Sequence, residues 1–506
     1  MNRTEIIAAA EPIGGGAQLI DIAADALADA VTSLIAAGGR MQFAYAWYPD
    51  PGQLELRYVA DRPQRDGFVV WRVRPGATMP TLAGPAPMMS WYEREITDLF
   101  GLPFEGHPEP VPLVLAGAGF TGPPPFRHAP ANVAEATSQT HEARPQLAAT
   151  DVQVLPFGPV RAGVVESVRL DFYYVGEHIL HLYPQLFRKH RGMEQRFAGA
   201  RLMTATVLAE RVSGIGSFSH ALAFCQAVEQ AAGCTVPPRA RMLRTLFAEL
   251  ERIYNHLHYL GHLADTTTLK VGHAEGVLLE ERAKQINGRL TGSRFLRGVL
   301  KPGGLRRDFG ALDGLAETLE TLRADAAVYA DRLEATGSFL DRLITTGPLP
   351  KQTAFDQGAS GPVERASGLD RDLRRDYPYA GYDRVPIEVP VREDGDAYAR
   401  YRVRVAELMT AIAIVQRVLL LIEDGPVAAP CVPPPLSEGL GWSEGPRGGT
   451  FYAVHFDAAG TLAHTKIKSP SFSNWRVFPF TVHDSNMMDY AINEASFGLS
   501  VAGCDR

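Results

Sequence analysis

The chain has 506 residues, 46% hydrophobic and 21% charged, with a formal net charge of -7. That composition is ordinary for a globular protein and long enough for about two to four cores, with two domains as the starting expectation. The acidic balance argues against nucleic acid or anionic lipid as the main partner. Four cysteines, Cys225, Cys234, Cys431 and Cys504, form no CxxC pair, which excludes a disulfide scaffold and suits the cytosol.

Near the N-terminus Glu5, Glu11 and Asp21 interrupt the alanines, so no basic region and apolar core of a secretory signal is expected. Residues 17–37 space Leu19, Ile22, Leu27, Val31 and Leu34 as one amphipathic helix stopped by Gly38-Gly39. Strands follow at 41–48 and 53–58 around Pro49-Asp50-Pro51-Gly52, and at 67–74. A small α+β domain over 1–118 is expected, then a linker over 119–150 rich in Ala, Gly, Pro and Thr.

Beyond it, strands are expected at 165–174 and 177–182, and helical periodicity runs over 198–232, 238–263, 275–291, 312–345 and 396–423. Long helices of this kind pack as a bundle. A hairpin is expected at 450–457 and 461–468 around Ala458-Ala459-Gly460. The most apolar stretch, 408–422, is broken by Gln416 and Arg417 and falls short of the roughly 20 residues that span a bilayer. Membrane attachment is therefore expected through partners.

Several segments carry chemistry. Glu93-Arg94-Glu95-Ile96-Thr97-Asp98-Leu99-Phe100-Gly101-Leu102-Pro103-Phe104-Glu105-Gly106-His107-Pro108 reads as a charged helix, a glycine stop and a tight turn, its charges pairing with one another. His190-Arg191-Gly192-Met193-Glu194 places a carboxylate for which two readings stay open, a desolvated proton-path group of raised pKa or a surface group paired with Arg191 or Arg196. Glu210-Arg211-Val212-Ser213-Gly214-Ile215-Gly216 and the C-terminal Ser500-Val501-Ala502-Gly503-Cys504-Asp505-Arg506 complete the set. His258 and His262 are four apart on one helical face, a spacing that a divalent metal bridges, but no HExxH accompanies them and a polar helix seam is the plainer reading. Asp370 and Asp372 sit among Arg371 and Arg374, which suits a structural ion network.

The first of these segments resembles the E-R-E-x-x-D-x-F-G-x-x-F-x-G-H-P signature of the small peripheral-arm subunit of complex I. The His190 segment resembles the H-R-G-x-E of complex I large subunits and membrane-bound hydrogenase large subunits. Further likeness lies at 237–261 and 366–374, and the fused order resembles large subunits of the formate-hydrogenlyase type. The resemblance implies an α+β fold, with a small N-terminal domain at 1–118 and a mainly helical, hydrogenase large-subunit-like bundle at 151–506 with peripheral β hairpins. In that family the N-terminal domain docks partners.

Hydrogenases of the family show E-R-V-C-G-x-C and D-P-C-x-x-C, whose four cysteines hold nickel and iron. Here those positions are Ser213, Gly216, Ser500 and Gly503, and neither hydroxyl nor glycine replaces a soft thiolate, so no nickel-iron site is expected. Complex I large subunits also lack these cysteines and use the space for a quinone headgroup, held by a histidine and a tyrosine. Those positions correspond here to Arg161 and Gly214, leaving Arg161 and His220 as acceptor contacts and Glu194 as a proton-path residue.

The resemblance implies an NADH dehydrogenase-like or hydrogenase-like oxidoreductase subunit, peripheral on the inner face of the cell membrane. An iron-sulfur small subunit and integral membrane subunits would be its partners, with electrons passing toward a quinone-like acceptor and driving ion movement. No cofactor other than a quinone is expected on this chain, since cysteines are too few for a cluster and no G-x-G-x-x-G follows a strand. The competing expectation is a structural docking subunit with an inert cavity.

Overall fold

The computed structural model describes residues 11–13, 17–64, 66–115, 122–126, 151–161, 166–309 and 312–506. Most of the expected linker, and the first residue of the strand expected at 165–174, lie outside them.

The N-terminal unit is a five-stranded sheet. β1 (Glu11–Pro12), β2 (Gln18–Asp21), β3 (Arg40–Asp50), β4 (Gln53–Asp61) and β5 (Phe68–Val73) lie in the order β1-β2-β5-β4-β3. The single helix expected over 17–37 is wrong in its first half. Residues 18–21 pair in parallel with β5, Leu19 is buried, and the Asp21 carboxylate accepts from Arg72 of β5 at 2.5 Å. The sheet edge thus outcompetes a helical spacing that short, and helix α1 begins at Leu27 (Leu27–Ala36).

Helix α2 (Ser90–Phe100) stops at Gly101, whose φ of 74° is the left-handed cap that glycine adopts without strain. Its charges do not pair with one another as expected. Glu93 accepts from Leu82 N (2.6 Å), Arg94 meets Glu109 (2.8 Å), and Asp98 accepts from the N–H groups of Leu113, Val114 and Leu115. Glu95 binds residues 371 and 411 positions away in sequence.

The larger unit opens with β6 (Gln153–Phe157), β7 (Arg169–Val175) and β8 (His178–Gln185), joined at one edge by Ser485–Asn486. Its helices are α3 (Leu202–Val212), α4 (Ser217–Ala231), α5 (Pro238–Thr266), α6 (Lys270–Thr291), α7 (Leu315–Glu334) and α8 (Ala397–Leu421), whose N-cap Asp396 accepts from Ala399 N at 2.7 Å. The periodicity at 198–232 is two helices rather than one. Ser213 is extended (φ -139°, ψ 124°) and a 3₁₀ turn occupies Gly214–Gly216, because two glycines and a serine give the helix little to hold. The stretch 312–345 likewise breaks after α7, before a short helix Gly337–Leu343.

A three-stranded sheet, β9 (Glu438–Gly445), β10 (Gly448–Phe456) and β11 (Leu462–Lys468), confirms the expected C-terminal hairpin and places it deeper than its sequence position suggests. Every residue of β10 is buried. One hydrophobic cluster runs from Leu19 through Phe451 to Cys504, so the α+β unit and the helical unit share a core. Short helices α9 (Tyr490–Phe497) and α10 (Val501–Asp505) finish the chain.

Candidate functional site

Two helix N-termini and the break between α3 and α4 come together. From α5 the Glu251 carboxylate closes the start of α4, accepting from Phe218 N (2.7 Å), Ser219 N (2.9 Å) and the Ser219 hydroxyl. Burial pushes the Glu251 carboxyl up to about 7 despite these donors. At α10 the N-cap Ser500 accepts from Gly503 N at 3.0 Å, while Glu166 accepts from Val501 N (2.5 Å) and Ala502 N (2.9 Å).

A side-chain carbon on Gly503 would stand 3.4 Å from both the Ser213 and the Ser500 hydroxyl oxygens. The positions compared above with metal ligands are therefore neighbours in space, as a four-donor site requires. They do not supply the donors. Ser500 Oγ is occupied as a cap, Ser213 offers a neutral hydroxyl, and the two glycines offer nothing. The space that Ser213, Gly216 and Gly503 share with Ser219, His220 and Arg447 is about 20 Å³, room for one water. Cys504 is buried, and burial holds its thiol well above the ordinary value, the opposite of what a thiolate ligand needs. This donor set does not fit nickel and iron.

His220 lines this space and shares a hydrogen bond between Nδ1 and the Tyr452 hydroxyl at 3.0 Å. Burial drives its pKa down to about 3, so the imidazole is neutral. Arg447 donates to Gly498 O, and burial lowers its guanidinium to about 10.

Glu194 lies elsewhere, on a one-turn helix (Met193–Phe197) against β11. Its carboxylate accepts from Ile467 N (3.0 Å) and Arg506 Nη1 (3.0 Å) and stands 3.2 Å from Lys466 Nζ. Glu95 of α2 completes a quartet, 2.7 Å from both Lys466 Nζ and Arg506 Nη2. Of the two readings left open for Glu194, the raised pKa is not what its surroundings favour: burial pushes the carboxyl up, but Lys466 and Arg506 outweigh it and hold Glu194 below its usual range. Neither Arg191 nor Arg196 is its partner; Arg191 instead donates to Val212 O and Ala502 O.

Arg161 is clamped by Glu494 through two hydrogen bonds of 3.0 Å, with Tyr490 donating to the same carboxylate at 2.8 Å. It lines neither the serine-rich space nor the cavity beside Glu194. At Gly214 a side-chain carbon would lie 3.7 Å from the guanidinium of Arg297. Sequence reasoning thus named three residues that occupy three separate places. It missed Glu251, Glu166 and Lys466; only Glu251 left a local signal, a carboxylate flanked at helical spacing by Phe247, Ala248 and Tyr254.

The other ionic readings divide. Asp372 is buried between Arg374 (2.8 Å) and Arg365 (3.5 Å), inside a network with Glu249, Arg252 and Glu407, whereas Asp370 is exposed and meets Arg375 (2.6 Å). His258 stacks on His262 at 6.3 Å and meets Glu280 at 3.1 Å. Among the described residues no group of three His, Cys, Asp or Glu side chains is placed to hold a metal.

A helical bundle built on a broken helix, a capped C-terminal turn and an appended sheet domain is the architecture of a hydrogenase-type large subunit fused to a complex I-type small subunit. Three family models match in chain order: the respiratory-chain NADH dehydrogenase 30 kDa subunit at residues 20–132, nickel-dependent hydrogenase at 191–274, and the respiratory-chain NADH dehydrogenase 49 kDa subunit at 276–435. Formate hydrogenlyase subunit 5 of Escherichia coli is 30% identical over 426 residues, covering 81% of this chain and 74% of that protein. The C/D subunit of NADH-quinone oxidoreductase from Cereibacter sphaeroides is 28% identical over 488 residues, covering 84% and 82%. A chain of the archaeal membrane-bound sulfane sulfur reductase shares the fold, with a TM-score of 0.67 at 24% identity over 71% of this chain and all of that one. The chain belongs to the family of fused small and large peripheral-arm subunits of complex I and formate-hydrogenlyase-type hydrogenases.

Proposed function

We propose that this chain is the arm subunit of a membrane-bound oxidoreductase in which electrons from an iron-sulfur partner reach a quinone-like acceptor and drive ion translocation, without nickel-iron chemistry in this polypeptide. The observation that carries the reading is the donor set at Ser213, Gly216, Ser500 and Gly503, positions that adjoin in space and carry no sulfur. Residues 1–118 would dock partners and 151–506 would form the junction with the iron-sulfur subunit. Among the described residues no helix is long and apolar enough to cross a membrane, so integral membrane subunits would hold the assembly at the inner face.

In this reading the chain's own contribution is protonic and positional. His220, kept neutral by burial, would donate through a water in the small space it lines, and Glu194, held ionised by Lys466 and Arg506, would serve as the carboxylate that takes up a proton. A second reading, a docking subunit whose cavity is inert, is favoured by one observation: Arg161 is already clamped by Glu494.

The purified complex should contain no nickel above background by elemental analysis; stoichiometric nickel would end the first reading. Quinone reduction by the intact complex should fall about tenfold or more in Glu194→Gln, in line with loss of a proton-transfer group. Unchanged rates in both Glu194→Gln and Arg161→Ala would leave the docking reading standing.

A further inference from the structure

Between the N-terminal sheet and β11 lies a cavity of about 160 Å³, lined by the rings of Tyr45, Trp47, Phe100 and Phe126 and, on its polar side, by Glu95, Glu194, Lys466 and His464. It is distinct from the serine-rich space, with which it shares no lining residue. Its size is that of a site for one substituted aromatic ring, since an apolar cavity of ~150 Å³ takes up benzene.

Two features of the wall point to a ligand. Trp47 Nε1 and His464 Nε2 are both buried and have no hydrogen-bond partner. A buried polar atom left in this state costs about 1–3 kcal/mol. The indole N–H is a donor only, while a neutral imidazole with its proton on Nδ1 accepts at Nε2. The two rings lie 6.1 Å apart, inclined by 26°, and both line this cavity.

The charges set a second constraint. Lys466 and Arg506 balance Glu95 and Glu194 within 2.7–3.2 Å, so the polar wall has no net charge to offer an ion. Burial also keeps His464 uncharged. The aromatic walls supply flat faces for an offset or edge-on ring.

We propose that this cavity is a binding site for an uncharged hydroxyl-bearing aromatic ring, the class of phenols and quinols, whose oxygen accepts from Trp47 Nε1 and whose O–H donates to His464 Nε2. The site sits at the seam of the two units and is independent of whether the complex reduces quinones. An occupant would touch both units at once, stiffening the seam.

The test is isothermal titration calorimetry on the full chain with p-cresol and with toluene as probes. Saturable one-to-one binding of p-cresol is expected, about tenfold tighter than toluene, the equivalent of one net hydrogen bond. Trp47→Phe should weaken p-cresol by about the same factor and leave toluene unchanged. Ala463→Leu, which fills the cavity from β11, should abolish binding of both; Ala198→Leu, at another lining position, is the alternative if the first variant does not fold. Absence of saturable heat, equal affinity for the two probes, or undiminished binding in the leucine variants would each overturn the site and leave water as its occupant.

Discussion

Glu251 reaches from α5 to cap α4, and its burial sets up a pH effect of definite sign. The folded pKa of about 7 lies above the ordinary value of 4.5, so the folded state binds this proton more tightly than the unfolded chain. The stabilisation is complete below pH 4.5 and is lost as pH rises through about 7. Glu251→Gln removes the titration and sets an amide against backbone donors, costing about 1–3 kcal/mol. The gap in stability between wild type and variant should therefore shrink by about 2 kcal/mol between pH 5.5 and pH 8, read as converging melting temperatures. A gap that does not change with pH would show that Glu251 stays ionised throughout. At this scale the sequence was informative where a motif named the residue and silent about its environment. Glu194 stood out within its motif as a carboxylate, yet Lys466 and Arg506, which reverse the direction of its shift, lie 272 and 312 positions away.

Helices α5 and α6 meet backbone to backbone, and here glycine is a packing residue. A side-chain carbon on Gly276 would stand 2.5 Å from Gly261 Cα and 2.7 Å from the Tyr329 hydroxyl, which already donates to Gly272 O at 2.7 Å. β9 approaches α4 in the same way: carbons on Gly439 and Gly441 would fall 2.1 and 2.2 Å from the carbonyl oxygens of Ala227 and Ala223. None of these atoms can yield cheaply, because all but one belong to main chain. Gly276→Ala should thus cost about 1–3 kcal/mol as an overpacked contact, against no loss for Gly84→Ala, where a new carbon meets nothing within 4 Å. Chemical denaturation of the two variants side by side reads the difference, and equal midpoints would disprove tight apposition of α5 and α6. Long helices such as 238–266 and 397–421 were legible because their periodicity persists over many turns. The strand at 18–21 and the break at 213–216 were not: four residues carry too little pattern, and parallel pairing with β5 or a cap from Glu251 is decided elsewhere in the chain.

Across the molecule the two units are joined as an interior is joined, not as two docked surfaces. Arg40 of β3 is 5% exposed and donates to Glu364 (2.8 Å), Ala359 O (2.9 Å) and Ala354 O (3.3 Å); Arg371 returns the contact by binding Asp61. Phe68 of β5 packs on Tyr377 at 4.5 Å and Trp442 at 4.8 Å, and Phe43 on Phe451 at 5.7 Å. The sequence divided the chain by a change of composition near residue 118, but no local pattern could reveal that Arg40 and Glu364 neutralise one another. Because buried partners are shared, neither unit should melt alone. Arg40→Ala strands the Glu364 carboxylate, which also receives Gly361 N at 3.0 Å, and breaking such a pair costs about 3–5 kcal/mol. Scanning calorimetry of the full chain should show one transition in the wild type and one, at lower temperature, in Arg40→Ala. If the variant instead resolved into two transitions, with only the first displaced, the seam would be a contact between independent domains, and a ligand bound there would bridge two bodies rather than fill a gap in one.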